Sequence, residues 1–191
     1  MTLLTVWADD DPTRELLRTE EGEEIAAELK EIGVRFERWP LVDELPAEPT
    51  QEQVLEAYAD RVRRVVDTEG YVLVDATRMT PQDSPEWAEQ AAQARQKFLA
   101  EHTHDDDEDR FFARGSGVFY LHVGGKVYAV LCEAGDLLSV PADTTHWFDM
   151  GTRPDYVAIR FFHDDDGWVG AFTGNRLADT FPDFDALTAS R

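Results

Sequence analysis

The sequence predicts an all-β core, an antiparallel barrel, with flanking α-helices that lie mainly in its N-terminal half. From about Glu101 onward, short β-rich runs alternate with turn residues, and helical patterns precede them. Many short strands at regular spacing are typical of an antiparallel sandwich or barrel. No repeat or linker divides the chain, so we expect a single domain over residues 1–191. An α/β front half, residues 1–95, is expected to pack on the barrel, and residues 96–185 are expected to carry the chemistry.

Strands and helices alternate in the N-terminal half. The runs LLTVWA, VRFERWP and YVLVDATRM predict strands. The segment TEEGEEIAAELKEIG predicts a helix with Thr19 as its N-cap and Gly33 at its end. The segment TQEQVLEAYADRVRRVVDTEG predicts one long helix, because Thr50 and Gln53 are spaced for a capping box and Gly70 follows the last turn. A Pro-rich loop then leads into a third helix, which continues up to the first histidines.

The C-terminal half reads as a series of short strands. RFFAR, VFYLHV, KVYAVL, LLSVPA and YVAIRFF each have strand composition. The sequence GSG after RFFAR is a turn signal, and GG between VFYLHV and KVYAVL is a strong hairpin signal. We therefore expect the chain to reverse repeatedly in this half, as an antiparallel barrel requires.

Composition excludes several classes of protein. A formal net charge of −22 argues against nucleic acid or an anionic membrane as a partner, because phosphate repels such a surface. Cys132 is the only cysteine, so an intrachain disulfide is impossible and a packed core thiol is expected. The first residues lack the basic and apolar regions of a signal peptide, and no apolar run approaches the roughly 20 residues of a membrane span. These features predict a cytoplasmic protein.

A His-x-His pair opens an acidic run, EHTHDDDED. In a strand, residues two apart point to the same side, so His102 and His104 can converge on one point. Glu108 and Arg110 share this parity if the chain returns as the next strand. A further histidine, His146, follows the Gly- and Pro-punctuated run GDLLSVPADTTH. Imidazole is the commonest metal ligand, and an added carboxylate suits iron, manganese or nickel, so the pattern predicts a metal site.

These residues resemble the two motifs of the cupin superfamily. The first motif is matched by His102, His104 and Glu108, followed by Gly115, and the second by Gly135, Pro141 and His146. The sequence departs from the usual pattern at Asp143, where cupins usually have glycine, and at Asp149, near where many have asparagine. We expect these changes to affect turn geometry and to leave the ligands in place.

Longer segments around these motifs point to a more specific family. EHTHDDDEDRFFARGSGVFYLHV, VYAVLCEAGDLLSVPADTTHWFDMG and VAIRFF with GWVGAFTG resemble the bacterial acireductone dioxygenases of methionine salvage, over roughly residues 95–185. The resemblance implies one Fe²⁺ or Ni²⁺ per chain, held by the three histidines and the glutamate. We expect the protein to be a monomer. It implies cleavage of 1,2-dihydroxy-3-keto-5-methylthiopentene by O₂. The iron form would give formate and 4-methylthio-2-oxobutanoate, and the nickel form formate, CO and 3-methylthiopropanoate.

The resemblance also implies roles for residues beside the ligands. Arg110 would favour the dianion of the substrate; the alternative is a surface ion pair. Glu101 would orient a ligand or assist metal entry, and the alternative is a solvated acid. Asp107 matches a position that, in the family, is associated with transmitting local changes at the site. The alternative is an exposed acidic residue in a turn.

A substrate pocket is a further expectation. Phe98, Phe148 and Trp168 are candidates for the wall around the methylthio group, although such aromatic residues more often belong to the core. Arg160 lies inside the apolar run VAIRFF, where a charge is costly unless it is paired. The alternative class of protein is a non-catalytic or sugar-binding cupin, or a sugar-isomerase cupin, with the same metal site. Arg110 and the run HWFDMG after His146 favour the dioxygenase.

Overall fold

The computed structural model of the chain describes residues 1–164 and 169–189. Its strands are β1 (Leu3–Ala8), β2 (Asp11–Thr19), β3 (Arg35–Arg38), β4 (Leu73–Met79), β5 (His102–Thr103), β6 (Glu108–Val123), β7 (Lys126–Glu133), β8 (Asp136–Val140), β9 (His146–Asp149), β10 (Tyr156–Phe162) and β11 (Ala171–Phe172). Its helices are α1 (Gly22–Glu31), α2 (Gln51–Ala57), α3 (Ala59–Glu69), α4 (Pro85–Leu99), a single 3-10 turn (Leu177–Asp179) and α5 (Phe184–Ala189).

Two antiparallel sheets share the long strand β6. The first sheet has the order β11-β5-β9-β6-β7-β1-β2, and the second has the order β4-β10-β6-β8-β3. The N-terminal part of β6 pairs with β8 and β10, and its C-terminal part pairs with β7 and β9. The predicted all-β antiparallel core with flanking helices is confirmed.

Gly115 marks the bend at which β6 passes from one sheet to the other. Its φ is +71°, and a Cβ there would lie 1.9 Å from the Asp155 carbonyl oxygen, so only glycine fits. The expectation that GSG separates two strands is therefore wrong, because RFFAR and VFYLHV belong to one bent strand. The predicted GG hairpin is confirmed: β6 and β7 are joined through Gly124 and Gly125, both with positive φ.

Apolar side chains fill the space between the sheets. The inner cluster takes Leu4 and Val130 from the first sheet and Leu138 and Ala158 from the second. Cys132 belongs to this cluster and is fully buried, as expected. A second cluster packs α2 and α3 on the outer face of the second sheet, and a third packs the C-terminal segment on the first. The strands β6 and β9, which carry Glu108 and His146, are thus packed on both faces.

The helices differ from the predictions in two places. Thr19 ends β2, a strand that was not predicted, and Glu21 occupies the N-cap of α1, so the predicted N-cap is wrong. The predicted long helix is two helices, since the chain turns at Tyr58 (φ −109°, ψ 16°). The capping box of Thr50 with Gln53 is present, and the Gly70 C-cap is left-handed, as predicted. Among the described residues, no helix combines the length and apolar character needed to cross a membrane.

Candidate metal centre

Three histidines converge at one end of the β core. His102 on β5 is the register partner of His146 on β9, and β9 in turn pairs with β6. His104 lies just after β5, with its ring centroid 4.8 Å from that of His146. One ring nitrogen from each histidine lies within 4.8 Å of the others, and all three side chains are buried. The predicted convergence of the distant histidine with the His-x-His pair is present in the structure.

The backbone fixes the orientation of all three imidazoles. The Nδ1 atoms lie next to carbonyl oxygens, at 2.8 Å from Ala100 for His102, 2.6 Å from Asp106 for His104 and 2.7 Å from Thr144 for His146. A carbonyl oxygen only accepts hydrogen bonds, so each Nδ1 must be the donor. In a neutral imidazole this leaves the Nε2 lone pair for a cation, and metal-ligating histidines are commonly oriented by such a hydrogen bond at their other ring nitrogen.

Glu108 brings a carboxylate to the same point. Its Oε2 lies 3.0 Å from His104 Nε2 and 3.2 Å from His146 Nε2. Burial alone would raise the pKa of Glu108, but the Arg110 guanidinium and the two histidines hold that pKa well below its usual range. Burial lowers the pKa of His102. Burial alone would lower the pKa of His104, but contact with Glu108 raises it, and a cation held by neutral imidazoles would supply the same positive charge beside this carboxylate, so the donor set fits a metal ion.

Arg110 lies inside the site. Its Nη2 donates to Glu108 Oε1 at 2.7 Å, and its side chain is 4% exposed. The guanidinium carbon is 4.3 Å from the Phe148 ring centroid and 5.0 Å from that of Phe119. The alternative of a surface ion pair is therefore wrong, because the arginine is buried between a carboxylate and two aromatic rings.

Two loop residues connect the ligand-bearing segments. The Asp107 carboxylate accepts a 2.8 Å hydrogen bond from the Ala142 N–H, and the Asp143 N–H donates to the His104 carbonyl, also at 2.8 Å. Asp107 is half-buried, so it is not an exposed turn acid. Asp143 has φ +62°, which explains why a motif that usually has glycine tolerates aspartate here: Asp is among the few residues that adopt left-handed backbone readily.

Arg160 forms an ion pair with Asp75, as expected because an unpaired charge in an apolar strand is energetically costly. Its Nε and Nη2 donate to the Asp75 carboxylate at 2.8 Å and 2.5 Å. It is the register partner of Arg110, so its side chain points to the same side of the second sheet as Glu108 and Arg110. Contact with Asp75 outweighs burial and raises the pKa of Arg160.

The other predicted pocket residues are partly described. Phe148 is buried and contacts Arg110 through its ring, and Phe98 is partly buried against the inner cluster. Trp168 lies outside the described residues. Glu101 is 2% exposed, which excludes the interpretation of a solvated acid.

Sequence reasoning did not identify two histidines with site-related contacts. His163 Nδ1 lies 2.5 Å from the carboxylate of Asp106, in the loop between His104 and Glu108. His122 Nδ1 lies 2.9 Å from Glu101 Oε2. Neither belongs to the metal-binding group among the described residues. No local signal marks these contacts, because their partners are distant in sequence.

A bent antiparallel β core with three clustered, buried histidines and a buried carboxylate beside them defines a metal-binding β protein. The chain belongs to the ARD/ARD' family, whose model matches residues 4–170. The acireductone dioxygenase of Saccharopolyspora erythraea is 65% identical over 191 residues, which is 100% of both chains. That of Frankia alni is 58% identical over 98% of this chain and 91% of its own.

A solved structure supports the same grouping. The acireductone dioxygenase from Bacillus anthracis, with a cadmium ion in its active centre, superimposes with a TM-score of 0.73. It is 27% identical and covers 90% of this chain and 98% of its own. A relative with the same overall fold therefore contains a metal ion in its active centre.

Proposed function

We propose that this chain is a metal-dependent dioxygenase that cleaves 1,2-dihydroxy-3-keto-5-methylthiopentene with O₂ in methionine salvage. The observation that carries the proposal is the set of three imidazoles, each fixed through Nδ1, around the buried Glu108 carboxylate. Similarity to relatives named acireductone dioxygenase over the whole chain supports the reaction. The proposed ligands are His102, His104, Glu108 and His146.

The chain's own residues position the substrate and its charge. A bound metal ion would supply Lewis acidity towards the oxygens of the substrate. Arg110 places a permanent positive charge beside the proposed ligand Glu108, so it favours the deprotonated ene-diol. Arg160, held by Asp75, adds a second cation on the same side of the sheet. The rings of Phe148 and Phe119 cover the Arg110 guanidinium and keep it from water, which strengthens its electrostatic effect.

Oxygen uptake tests this proposal directly. Metal-loaded protein is mixed with the acireductone in an oxygen electrode, and keto acid and formate are quantified. The expected result is stoichiometric oxygen consumption, with His146→Ala losing bound metal and turnover together. The Leu41→Ala variant, which alters an exposed side chain outside the site, serves as the control. Bound metal without oxygen uptake would favour a non-catalytic or sugar-binding cupin, and full metal occupancy in His146→Ala would refute the ligand set.

We propose that the site accepts either Fe²⁺ or Ni²⁺, one per monomer. Three imidazoles and a carboxylate suit both ions, and affinity rises from iron to nickel along the divalent series. The iron form is proposed to give formate and 4-methylthio-2-oxobutanoate, and the nickel form to divert flux to CO and 3-methylthiopropanoate. Stripping the metal, reloading each ion and measuring headspace CO tests the claim, which identical products from both forms would contradict.

We further propose that the chain works in the cytoplasm as a monomeric single domain on small molecules. The shared strand β6 supports a single domain, because it belongs to both sheets. The net charge of −22 supports the absence of a nucleic-acid partner. Sedimentation analysis of the metal-loaded protein tests the monomeric state, and a dimer peak at micromolar concentration would refute it.

A further inference from the structure

The edge strand β11 carries an exposed aromatic ring beside the metal centre. Phe172 is 61% exposed, and its ring centroid lies 5.7 Å from that of His102. Phe172 is the register partner of His102, so the two side chains point to the same face, on which the ligands converge. Gly170 lies against the same ring, where a Cβ would be 3.5 Å from His102 Cδ2. Residues 170–172 therefore line one side of the His102 ring.

Thr173, which follows Phe172, and Glu101, which precedes His102, hold residues 170–172 in place. The N–H of Thr173 donates to the Glu101 carbonyl at 3.1 Å, and its hydroxyl donates to Glu101 Oε1 at 2.7 Å. The other carboxylate oxygen of Glu101 lies 2.9 Å from His122 Nδ1, and His122 Nε2 lies 3.2 Å from Asp9 Oδ2. Glu101 thus joins β11 to β6 and to the turn after β1.

We propose that Phe172 is a specificity-determining residue that binds the apolar tail of the substrate, and that Glu101 and Thr173 are positioning residues that hold it there. A metal site recognises only the oxygens that bind it, so recognition of a tail must come from neighbouring side chains. A two-residue edge strand makes few backbone hydrogen bonds of its own, so side-chain bonds are needed to fix its position. The thioether nature of the tail rests on the proposed function.

The first experiment measures whether Thr173 holds β11. Amide hydrogen exchange is followed at residues 171–173 of the metal-loaded protein in Thr173→Val, which lacks the donor, and in Thr173→Ser, which keeps it. Loss of one hydrogen bond predicts about 3- to 10-fold faster exchange in Thr173→Val, and Thr173→Ser should match the parent. The control is Thr180→Val, which removes a hydroxyl bonded to the Leu177 carbonyl in the C-terminal segment. Unchanged exchange in Thr173→Val would overturn the positioning role.

The second experiment measures recognition of the tail without any reaction. Two keto acids, 4-methylthio-2-oxobutanoate and pyruvate, are titrated calorimetrically into nickel-loaded protein. The parent should prefer the tailed acid, and Phe172→Ala should reduce this preference about 10-fold, since a tail in an apolar site is worth a factor of roughly 10 to 200. Thr173→Val should reduce the preference in the same direction, and Thr173→Ser should restore it.

Leu41→Ala is the matched control for this titration, because Leu41 is also an exposed apolar residue (49%) but packs beside Gly135, away from the ligands. No preference in the parent, or an unchanged preference in Phe172→Ala, would overturn the inference. Neither measurement uses oxygen uptake. If the protein consumed no oxygen, the exchange and titration results could still be interpreted. If the parent showed no preference for the tailed keto acid, the proposed dioxygenase reaction would not be contradicted.

Discussion

At the residue scale, the buried guanidinium of Arg110 has two roles that its contacts define. Its guanidinium donates to Glu108 and lies over two aromatic rings, at 4% exposure. In such a place the charge contributes to the fold through its contacts with Glu108 and the two rings, and it is also positioned for an anionic substrate. The two contributions predict different effects for a substitution, since metal binding is proposed to depend on Glu108 and turnover on the charge of the substrate.

Replacing Arg110 with alanine is expected to lower turnover about 30- to 1000-fold while most of the bound metal is retained. Loss of a charge-assisted contact in a site closed to water is worth about 2–4 kcal/mol of transition-state stabilisation. Steady-state oxygen uptake and elemental analysis on the same preparation measure both quantities. Arg114→Ala is the control, because Arg114 lies on the same strand but donates to the Pro46 carbonyl. Equal turnover in Arg110→Ala and the parent would place Arg110 outside the reaction.

At the scale of elements, local sequence signals predicted most strands but not how they continue. The GG hairpin, the capping box and the Gly70 C-cap depend on neighbouring residues, so the sequence alone indicated them. The continuation of β6 through Gly115 was missed, because the residue that makes glycine necessary is Asp155, on the segment before β10. The same limit applies to Arg160 with Asp75, which are separated by 85 positions.

Gly115→Ala should therefore destabilise the protein far more than Gly70→Ala. Both residues have positive φ, +71° and +83°, but a Cβ at Gly70 has no neighbour within 4 Å, whereas a Cβ at Gly115 would overlap the backbone. The left-handed conformation alone costs about 1 kcal/mol, and forced displacement of a strand adds roughly 1–3 kcal/mol. Urea unfolding of the two variants measures the difference, and equal free energies of unfolding would show that the bend accommodates a side chain.

The Asp149 carboxylate ties three elements together, and its contribution should depend on pH. It accepts two hydrogen bonds from Arg95 on α4, at 2.6 Å and 2.9 Å, and one from the Phe184 N–H of α5 at 2.9 Å. Burial alone would raise the pKa of Asp149, but these hydrogen bonds lower it. Because the pKa of Asp149 is lower in the folded than in the unfolded state, its ionised carboxylate raises the free energy of unfolding at neutral pH. This contribution is lost as pH falls through the folded pKa.

Asp149→Asn should consequently cost about 3 kcal/mol of unfolding free energy at pH 7, as expected when a buried ion pair loses one partner. The difference from the parent should shrink as pH falls from about 3.9, the usual aspartate value, towards the lower folded pKa, because the carboxyl is protonated first in the unfolded state and then in the folded state. Denaturant titrations at several pH values measure both proteins. A difference that stays constant down to the acid limit would mean that packing, and not charge, accounts for the cost.

At the scale of the whole molecule, the metal centre joins parts of the chain that the sheets alone connect weakly. β5 has two residues and pairs with β9 at a single position, whereas β6 spans both sheets. The sequence indicated the four proposed ligands together because three of them lie within one short motif. It did not predict which strands bring in the fourth, since the order β5-β9-β6 is a property of the completed sheet.

Removal of the metal is therefore expected to destabilise the whole protein and to loosen β5 first. An ion that binds only the folded state adds about 4 kcal/mol when its free concentration is 1,000 times its dissociation constant. For a domain of 150–250 residues, each kcal/mol shifts the melting temperature by about 2–4 °C, so chelation should lower it by roughly 8–16 °C. Differential scanning calorimetry with and without a chelator measures the shift, and reloading should reverse it. His146→Ala should melt at the lower temperature with or without added metal. A metal-independent melting temperature in the parent would show that the four side chains hold their arrangement without an ion.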